Sequence, residues 1–364
     1  MNCRILFVIH SLGYGGSPRI MAYLANRLTL DGYEVFLLTY EDMTLMQELV
    51  PEVKQIGFSY SALPIFAVRR ISQITQLRKV LKDIQPNILI SFLPYPNMIS
   101  IIASKGTQIP VVISQRGDPF ALQSWFTKFR DFVYNFADGY VFQTNGAKNY
   151  YNKRIQARAT VIPNPIVARN IPAKWIGERE DIIVHVGRFE LKTKRQDILI
   201  KAYSKIVDHY PNMNLVLFGD GADEQKIKEF ISNCRLEDRI VLAGVVTNVY
   251  EAIRKAKLFV LSSDNEGIPN ALIEAMCVGL PCISTDCSPG GAAELIKNME
   301  NGMLVKAGSV DELANAMEYM LSNPEKAEIM GENALKIQHD LNSKVIINQW
   351  KEYIDHQILT KKSS

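Results

Sequence analysis

Two glutamates, Glu266 and Glu274, stand with seven residues between them in the stretch SSDNEGIPNALIEAM, 262–276. A small-polar, acidic, Gly-containing loop runs there into a short apolar helix. Glu266 lies before the helix start and Glu274 about one turn inside it. A carboxylate can accept two hydrogen bonds from a vicinal diol. A helix N-terminus offers free N–H groups and favours negative charge. One carboxylate would hold a ribose diol and the other a hexose diol, with linking phosphates at the helix start between them. That combination describes a nucleotide-sugar. The plainer alternative is a helix-cap effect. It is weak for Glu274, which sits among Leu272, Ile273, Ala275 and Met276, where a carboxylate wants a partner.

A diphosphate also needs cations. VHVGRFELKTKRQDILI puts Arg188 just after a strand and Lys194 six residues on. Arg would fork onto phosphate oxygens and Lys would act as a movable point charge; the alternative is a solvated basic loop. Lys192 and Arg195 read as solvated. The first βα turn, SLGYGGSP, brings Gly13, Gly15 and Gly16 to a helix start. It fails the dinucleotide fingerprint G-x-G-x-x-G because Pro18 holds the sixth position. Phosphate contact and a tight structural turn both fit it. ISQRGDPF, 113–120, places Arg116 and Asp118 after another strand, where Arg116 reaches a phosphate of donor or acceptor, or else pairs locally with Asp118. His10 also follows a strand, a place where a lone histidine is more often structural. The five histidines lie far apart and no acidic pair has a DxD form, so no required metal is expected.

The elements that position these residues alternate. Strands are expected at 4–9, 34–40, 87–93, 110–114 and 139–143, separated by helix-length segments. Around 159–181 the chain is Pro-rich and aperiodic. The alternation then restarts with strands at 182–187, 214–219, 239–244, 258–263 and 281–286, and helical segments close the chain from about 309 to 359. Continuous apolar strands between helices mean buried parallel sheets. The expected fold class is α/β, with two doubly wound Rossmann-like domains facing a central cleft. The expected domains are 1–168, 169–345 and a C-terminal helix, 346–364, packing back toward the first.

Across nearly the whole chain, and most strongly in its second half, these motifs resemble the retaining GT-B glycosyltransferases of family 4. The carriers are the Glu-x7-Glu element, Gly15-Gly16, GRFELKTKRQD, FGDG at 218–221, LAG at 242–244 and SPGGAAELI at 288–296. The resemblance implies that Glu274 binds ribose hydroxyls and Glu266 donor-sugar hydroxyls. It implies that Arg188 and Lys194 neutralise the departing diphosphate. Backbone N–H groups of Gly15, Gly16, Gly267, Ile268, Asn270 and Ala271 would cradle phosphates, and Gly244 would lie near the base. The family often has His where Arg116 stands. A UDP-sugar is the expected donor, with no cofactor required. A glycan or lipid-linked glycan of a bacterial surface polysaccharide is the expected acceptor. The first domain would take the acceptor and the second the donor. Alternatives in other classes are a nucleotide-sugar epimerase, a non-catalytic subunit that keeps the fold, and a dinucleotide-dependent dehydrogenase prompted by Glu41 after the second strand.

Composition bounds the partners. Net charge is +3, divided as +8 over residues 1–170 and −5 beyond. A basic first half expects an anionic partner. The segment 63–84 carries an apolar stripe at 65, 68, 71, 74, 77, 81 and 84, with Arg69, Arg70, Arg78, Lys79 and Lys82 off it. LQSWFTKFRDFVYNF, 122–136, interleaves aromatics with Lys128 and Arg130. Both segments fit either helices packed on the sheet with solvated basic faces or docking onto an anionic membrane surface; no nucleic acid is expected. No apolar run is long enough to span a bilayer. The five cysteines show no paired framework. A cytoplasmic enzyme, peripheral at the inner face of the cell membrane, is the expected setting.

Overall fold

The apolar runs become parallel strands. In a computed structural model the described residues are 3–13, 15–40, 47–58, 66–121, 124–168 and 170–362, with the side chains of Phe66, Ala67 and Lys362 excepted. Glu41, the starts of the segments 63–84 and 122–136, and Ile65 of the apolar stripe lie outside them.

The first unit comprises Met1–Val167 and Ser343–Ser364. Its strands are β1 (Arg4–Ile9), β2 (Glu34–Thr39), β3 (Lys54–Gly57), β4 (Ile88–Phe92), β5 (Val111–Gln115), β6 (Gly139–Phe142) and β7 (Ala159–Val161). They form one parallel sheet in the order β3-β2-β1-β4-β5-β6-β7. β4 and β5 are buried along their whole length, as strands covered on both faces must be. The C-terminal helix Ser343–Lys362 belongs to this unit. Its Trp350 is fully buried with its ring 6.1 Å from that of Phe92, and the Tyr353 hydroxyl donates to the Tyr140 carbonyl.

The second unit is Ala168–Asn342. Its strands β8 (Glu180–Val186), β9 (Asn214–Phe218), β10 (Ile240–Gly244), β11 (Ala256–Leu261), β12 (Cys282–Asp286) and β13 (Met303–Lys306) are parallel, in the order β10-β9-β8-β11-β12-β13. Its core gathers Ile183, Leu215, Leu217, Leu258 and Ile283 from the sheet with Leu199, Tyr203 and Met317 from flanking helices.

Three strands do not announce themselves in sequence. β3 and β13 are short and largely exposed or half-buried, and β7 opens the Pro-rich stretch that reads as aperiodic. In the helix Phe66–Ile84, Leu77 and Leu81 of the expected stripe are buried, but Val68 and Ile71 face solvent. Arg78 is not simply solvated. Its guanidinium donates to the Ala103 and Ile102 carbonyls at the end of the helix Pro94–Ser104, where a cation suits the carbonyl end. No helix among the described residues is long and apolar enough to cross a membrane.

Candidate active site

Strand order reverses between β1 and β4 in the first sheet and between β8 and β11 in the second. Connections leaving the two strands at such a point run to opposite faces and open a crevice at their carboxyl ends. In the second unit, the residues singled out by their chemistry lie on the loops that leave β8 and β11.

Those two loops are stitched together. Ser262 Oγ donates to the Lys194 carbonyl and Asp264 N to the Thr193 carbonyl, each at 2.9 Å. Arg195, in the left-handed region at φ 52°, reaches Asp264 at 2.5 Å and Asp197 at 3.0 Å. Arg195 is therefore not the solvated cation its loop position suggests; the hydrogen bonds it donates to Asp197 and then to Asp264 hold its charge more firmly than usual. The stitch places Lys194 Nζ 2.5 Å from Glu266 Oε1, an oxygen that also accepts from Ser263 Oγ at 2.9 Å. Their side chains are 19% and 12% exposed, enough for a ligand to reach the pair. The cation and the carboxylate expected to serve different parts of a donor thus hold each other. Lys192 is exposed.

Beneath the pair lies His185, fully buried on β8. Its Nδ1 is 3.0 Å from the Val260 carbonyl, which can only accept, so Nδ1 carries the proton. Nε2 is left as a lone pair, with Gln196 Nε2 at 3.5 Å. Burial, helped by the nearby Lys194 charge, pushes the imidazole down to about 4. Gln196 Nε2 donates to the Arg188 carbonyl at 2.7 Å and fixes the start of the cationic loop. The Arg188 side chain itself is exposed and has no hydrogen-bond partner among the described residues.

The helix after Glu266 spans Asn270–Cys277, with Pro269 at its cap and no side-chain cap. Its first backbone bond runs from Ile273 N to the Pro269 carbonyl. The N–H groups of Asn270, Ala271 and Leu272 thus precede the ladder, and no acidic residue occupies the first turn. Gly267, Asn270 and Ala271 are half-buried, while Ile268 and Glu274 are buried at 6% exposure each. The loop is braced from behind: Glu266 N donates to the Ser288 carbonyl at 2.9 Å, and a Cβ on Gly291 would stand 2.1 Å from the Gly267 carbonyl. On the other side, Gly219 at φ 140° comes so close to Gly187 that a Cβ would lie 2.0 Å from the Gly187 carbonyl. Its N–H donates to the Gly244 carbonyl at 2.8 Å, so Gly244 and the cationic loop are linked through one residue.

In the first unit, Gly15 caps the helix Gly16–Leu30 at φ 135°, without a side-chain cap or an acidic first-turn residue, and both glycines are exposed. Arg116 follows β5 and is 7% exposed. It does not pair with Asp118, whose Oδ1 accepts instead from Phe120 N. Among the described residues its partners are neutral: Asn164 Oδ1 at 2.6 Å, Ser114 Oγ at 3.3 Å and the Phe92 ring at 4.4 Å, and its Nε has none. Burial alone pushes this guanidinium down to about 9. Asn164 lies 48 residues along the chain, and nothing in the local sequence marks it as a partner. Among the described residues no group of His, Cys, Asp or Glu gathers as a metal site would need.

Family models described as "Glycosyltransferase Family 4" and "Glycosyl transferases group 1" match residues 14–169 and 168–337. The lipopolysaccharide 1,6-galactosyltransferase of Escherichia coli K12 is 30% identical over 263 residues, 69% of this chain and 70% of that protein. The chain belongs to the family 4, group 1 glycosyltransferases. This glycosyltransferase is 27% identical over 357 residues, 96% of its length and 98% of the other's, to a Campylobacter jejuni enzyme. That enzyme is the GalNAc-alpha-(1->4)-GalNAc-alpha-(1->3)-diNAcBac-PP-undecaprenol alpha-1,4-N-acetyl-D-galactosaminyltransferase. Its fold is GT-B: Anabaena HepE, solved in complex with UDP, matches with a TM-score of 0.81 at 18% identity, covering 97% of this chain and all of that one. The enzyme is a hexosyltransferase, and the epimerase, dehydrogenase and non-catalytic alternatives give way.

Proposed function

We propose that this enzyme moves a hexose or N-acetylhexosamine from a UDP-linked donor, with retention at the anomeric carbon, to a hydroxyl of a lipid-linked glycan used for a surface polysaccharide. It would do so peripherally, at the cytoplasmic face of the cell membrane. One observation carries the reading: an uncapped helix start lies between two glutamates, one of which already grips a lysine. The Campylobacter relative's name specifies a PP-undecaprenol substrate, and HepE has been solved with UDP and with UDP-glucose.

In this reading Glu274 holds the ribose diol and Gly244 lies by the base. The N–H groups of Gly267, Ile268, Asn270 and Ala271 take the diphosphate, and the Gly15-Gly16 turn of the first unit would take a phosphate. Glu266 receives donor-sugar hydroxyls and Lys194 turns from Glu266 to the leaving oxygens, where Arg188 joins it. The departing phosphate takes the acceptor proton as the hydroxyl attacks the anomeric carbon from the leaving-group side, so no protein nucleophile is required. The main protein contribution is stabilisation of charge growing on the diphosphate by groups already in place. Arg116, a buried cation with only neutral partners among the described residues, would serve a phosphate of acceptor or donor.

The test is a panel of nucleotide-sugars incubated with the purified enzyme and an undecaprenyl-diphosphate glycan. Acceptor-dependent release of UDP, and a product with the donor's anomeric configuration, are expected. An inverted product, or release from GDP-sugars alone, would overturn the assignment.

A further inference from the structure

In the first unit one helix turns its aromatic side chains to solvent and its arginine inward. The helix Trp125–Tyr134 starts at a capping box between Ser124 and Thr127. Trp125, Phe129, Phe132 and, just past the helix, Phe136 recur at helical spacing on one face. Their exposures are 79%, 45%, 61% and 57%. Thr127, Arg130, Val133 and Tyr134 are the buried side. Arg130, expected on the solvated basic face, is 4% exposed. It pairs with Asp131 and lies against the rings of Tyr134, Tyr150 and Tyr151.

The apolar surface continues beyond the helix. Phe126 packs on Tyr95 at 4.8 Å, and the Arg70 guanidinium covers the Tyr95 ring at 4.3 Å. On the helix Phe66–Ile84, which carries Arg70, Val68 and Ile71 are also exposed, at 45% and 62%. Large rings turned to solvent on one helix face, linked through Phe126 to Tyr95, mark an interaction surface. Charge selects the occupant. Lys105 lies 5.7 Å from the Phe136 ring, and both it and Lys128 are exposed. Of the nine Lys and Arg in residues 66–136, Arg116 and Arg130 are buried; the other seven stand against three Asp, of which Asp131 is already taken by Arg130. A second copy of the chain would set this basic surface against itself.

We propose that this face seats the enzyme on an anionic bilayer, with the rings at the headgroup–acyl boundary and Lys105 and Lys128 among lipid phosphates. The inference deepens, and rests on, the reading of the acceptor as lipid-linked. Flotation of the full-length enzyme with phosphatidylglycerol-rich vesicles, against pure phosphatidylcholine vesicles, tests it. Binding to the anionic vesicles is expected. Trp125→Ser with Phe129→Ser weakens the partition at least about tenfold, and Lys105→Glu with Lys128→Glu does so by a similar factor. Both double variants keep the wild-type melting temperature and the wild-type rate of nucleoside diphosphate release with a short, lipid-free acceptor. Tryptophan emission shifts to the blue on vesicles in wild type, and most of that shift is lost in Trp125→Ser. Undiminished vesicle binding by both variants would overturn the proposal. So would a change from dimer to monomer in light scattering, which would make the occupant a second copy. Vesicle binding through these rings without transfer to any lipid-linked glycan would support the face and remove the acceptor reading alone.

Discussion

At the scale of single residues, the Lys194–Glu266 contact is the feature with most chemical consequence. A lysine held by a carboxylate at 2.5 Å is kept in place, and with the two side chains 19% and 12% exposed a ligand can still reach it. Lys194→Ala and Glu274→Ala are each expected to cut turnover about 100-fold or more, by analogy with losses at oxyanion sites. Steady-state rates near wild type in either purified variant would withdraw that residue's role. Glu266→Gln should separate the two functions of its site: UDP affinity holds or rises as Lys194 is released, while turnover falls about 100-fold, which calorimetry beside kinetics can read. Arg116 gives a different signature. A buried charge without a carboxylate partner weakens the free protein. Arg116→Met should melt at or above the wild-type temperature yet lose about tenfold or more in activity. Stabilisation of the wild type by added pyrophosphate in a thermal-shift assay should shrink in the variant. Marked destabilisation by Arg116→Met would show that the arginine serves packing.

At the scale of elements, two glycine contacts set where the loops stand. Gly291 admits the Gly267 carbonyl, and Gly219 admits that of Gly187. A methyl group at either site must push backbone, since no flexible side chain stands there to yield. Gly291→Ala is expected to cost about 2 kcal/mol or more in urea unfolding and to raise KM for the donor more than it lowers kcat, because the proposed phosphate cradle is displaced. An unchanged KM would mean that the brace behind the loop does not shape the donor site. The Arg195 fork onto Asp197 and Asp264 belongs to the same scale: it holds one loop against the other and leaves Lys194 to point at Glu266.

At the scale of the whole molecule, pH couples folding to the buried histidine under the site. The folded His185 titrates near 4, below its ordinary 6.5. In that interval the unfolded chain binds the proton and the folded chain does not. Its contribution is therefore complete above 6.5 and is lost progressively as pH falls toward 4. The loss amounts to about 3 kcal/mol at most. His185→Gln should flatten the stability profile between those pH values when urea midpoints are compared, and an unchanged slope would place the acid sensitivity elsewhere.

Two parallel α/β sheets are legible in the order of residues alone, because strands buried on both faces must be written as unbroken apolar runs. The donor-site candidates are legible there too, because a carboxylate inside an apolar helix, and glycines at strand ends, are costly unless something uses them. The rest follows from packing between distant parts of the chain. The short strands β3, β7 and β13 are ordered by a neighbouring strand and carry little pattern of their own. Arg195 looks solvated until Asp264, 69 residues on, is brought to it, and Arg116 meets Asn164 across 48. Which way the helix Trp125–Tyr134 turns its arginine and its rings depends on the tyrosines waiting beneath it. Pairings between residues far apart in the chain, and the facing of an amphipathic helix, are settled by what packs against them. Local sequence cannot encode a partner that only the fold supplies.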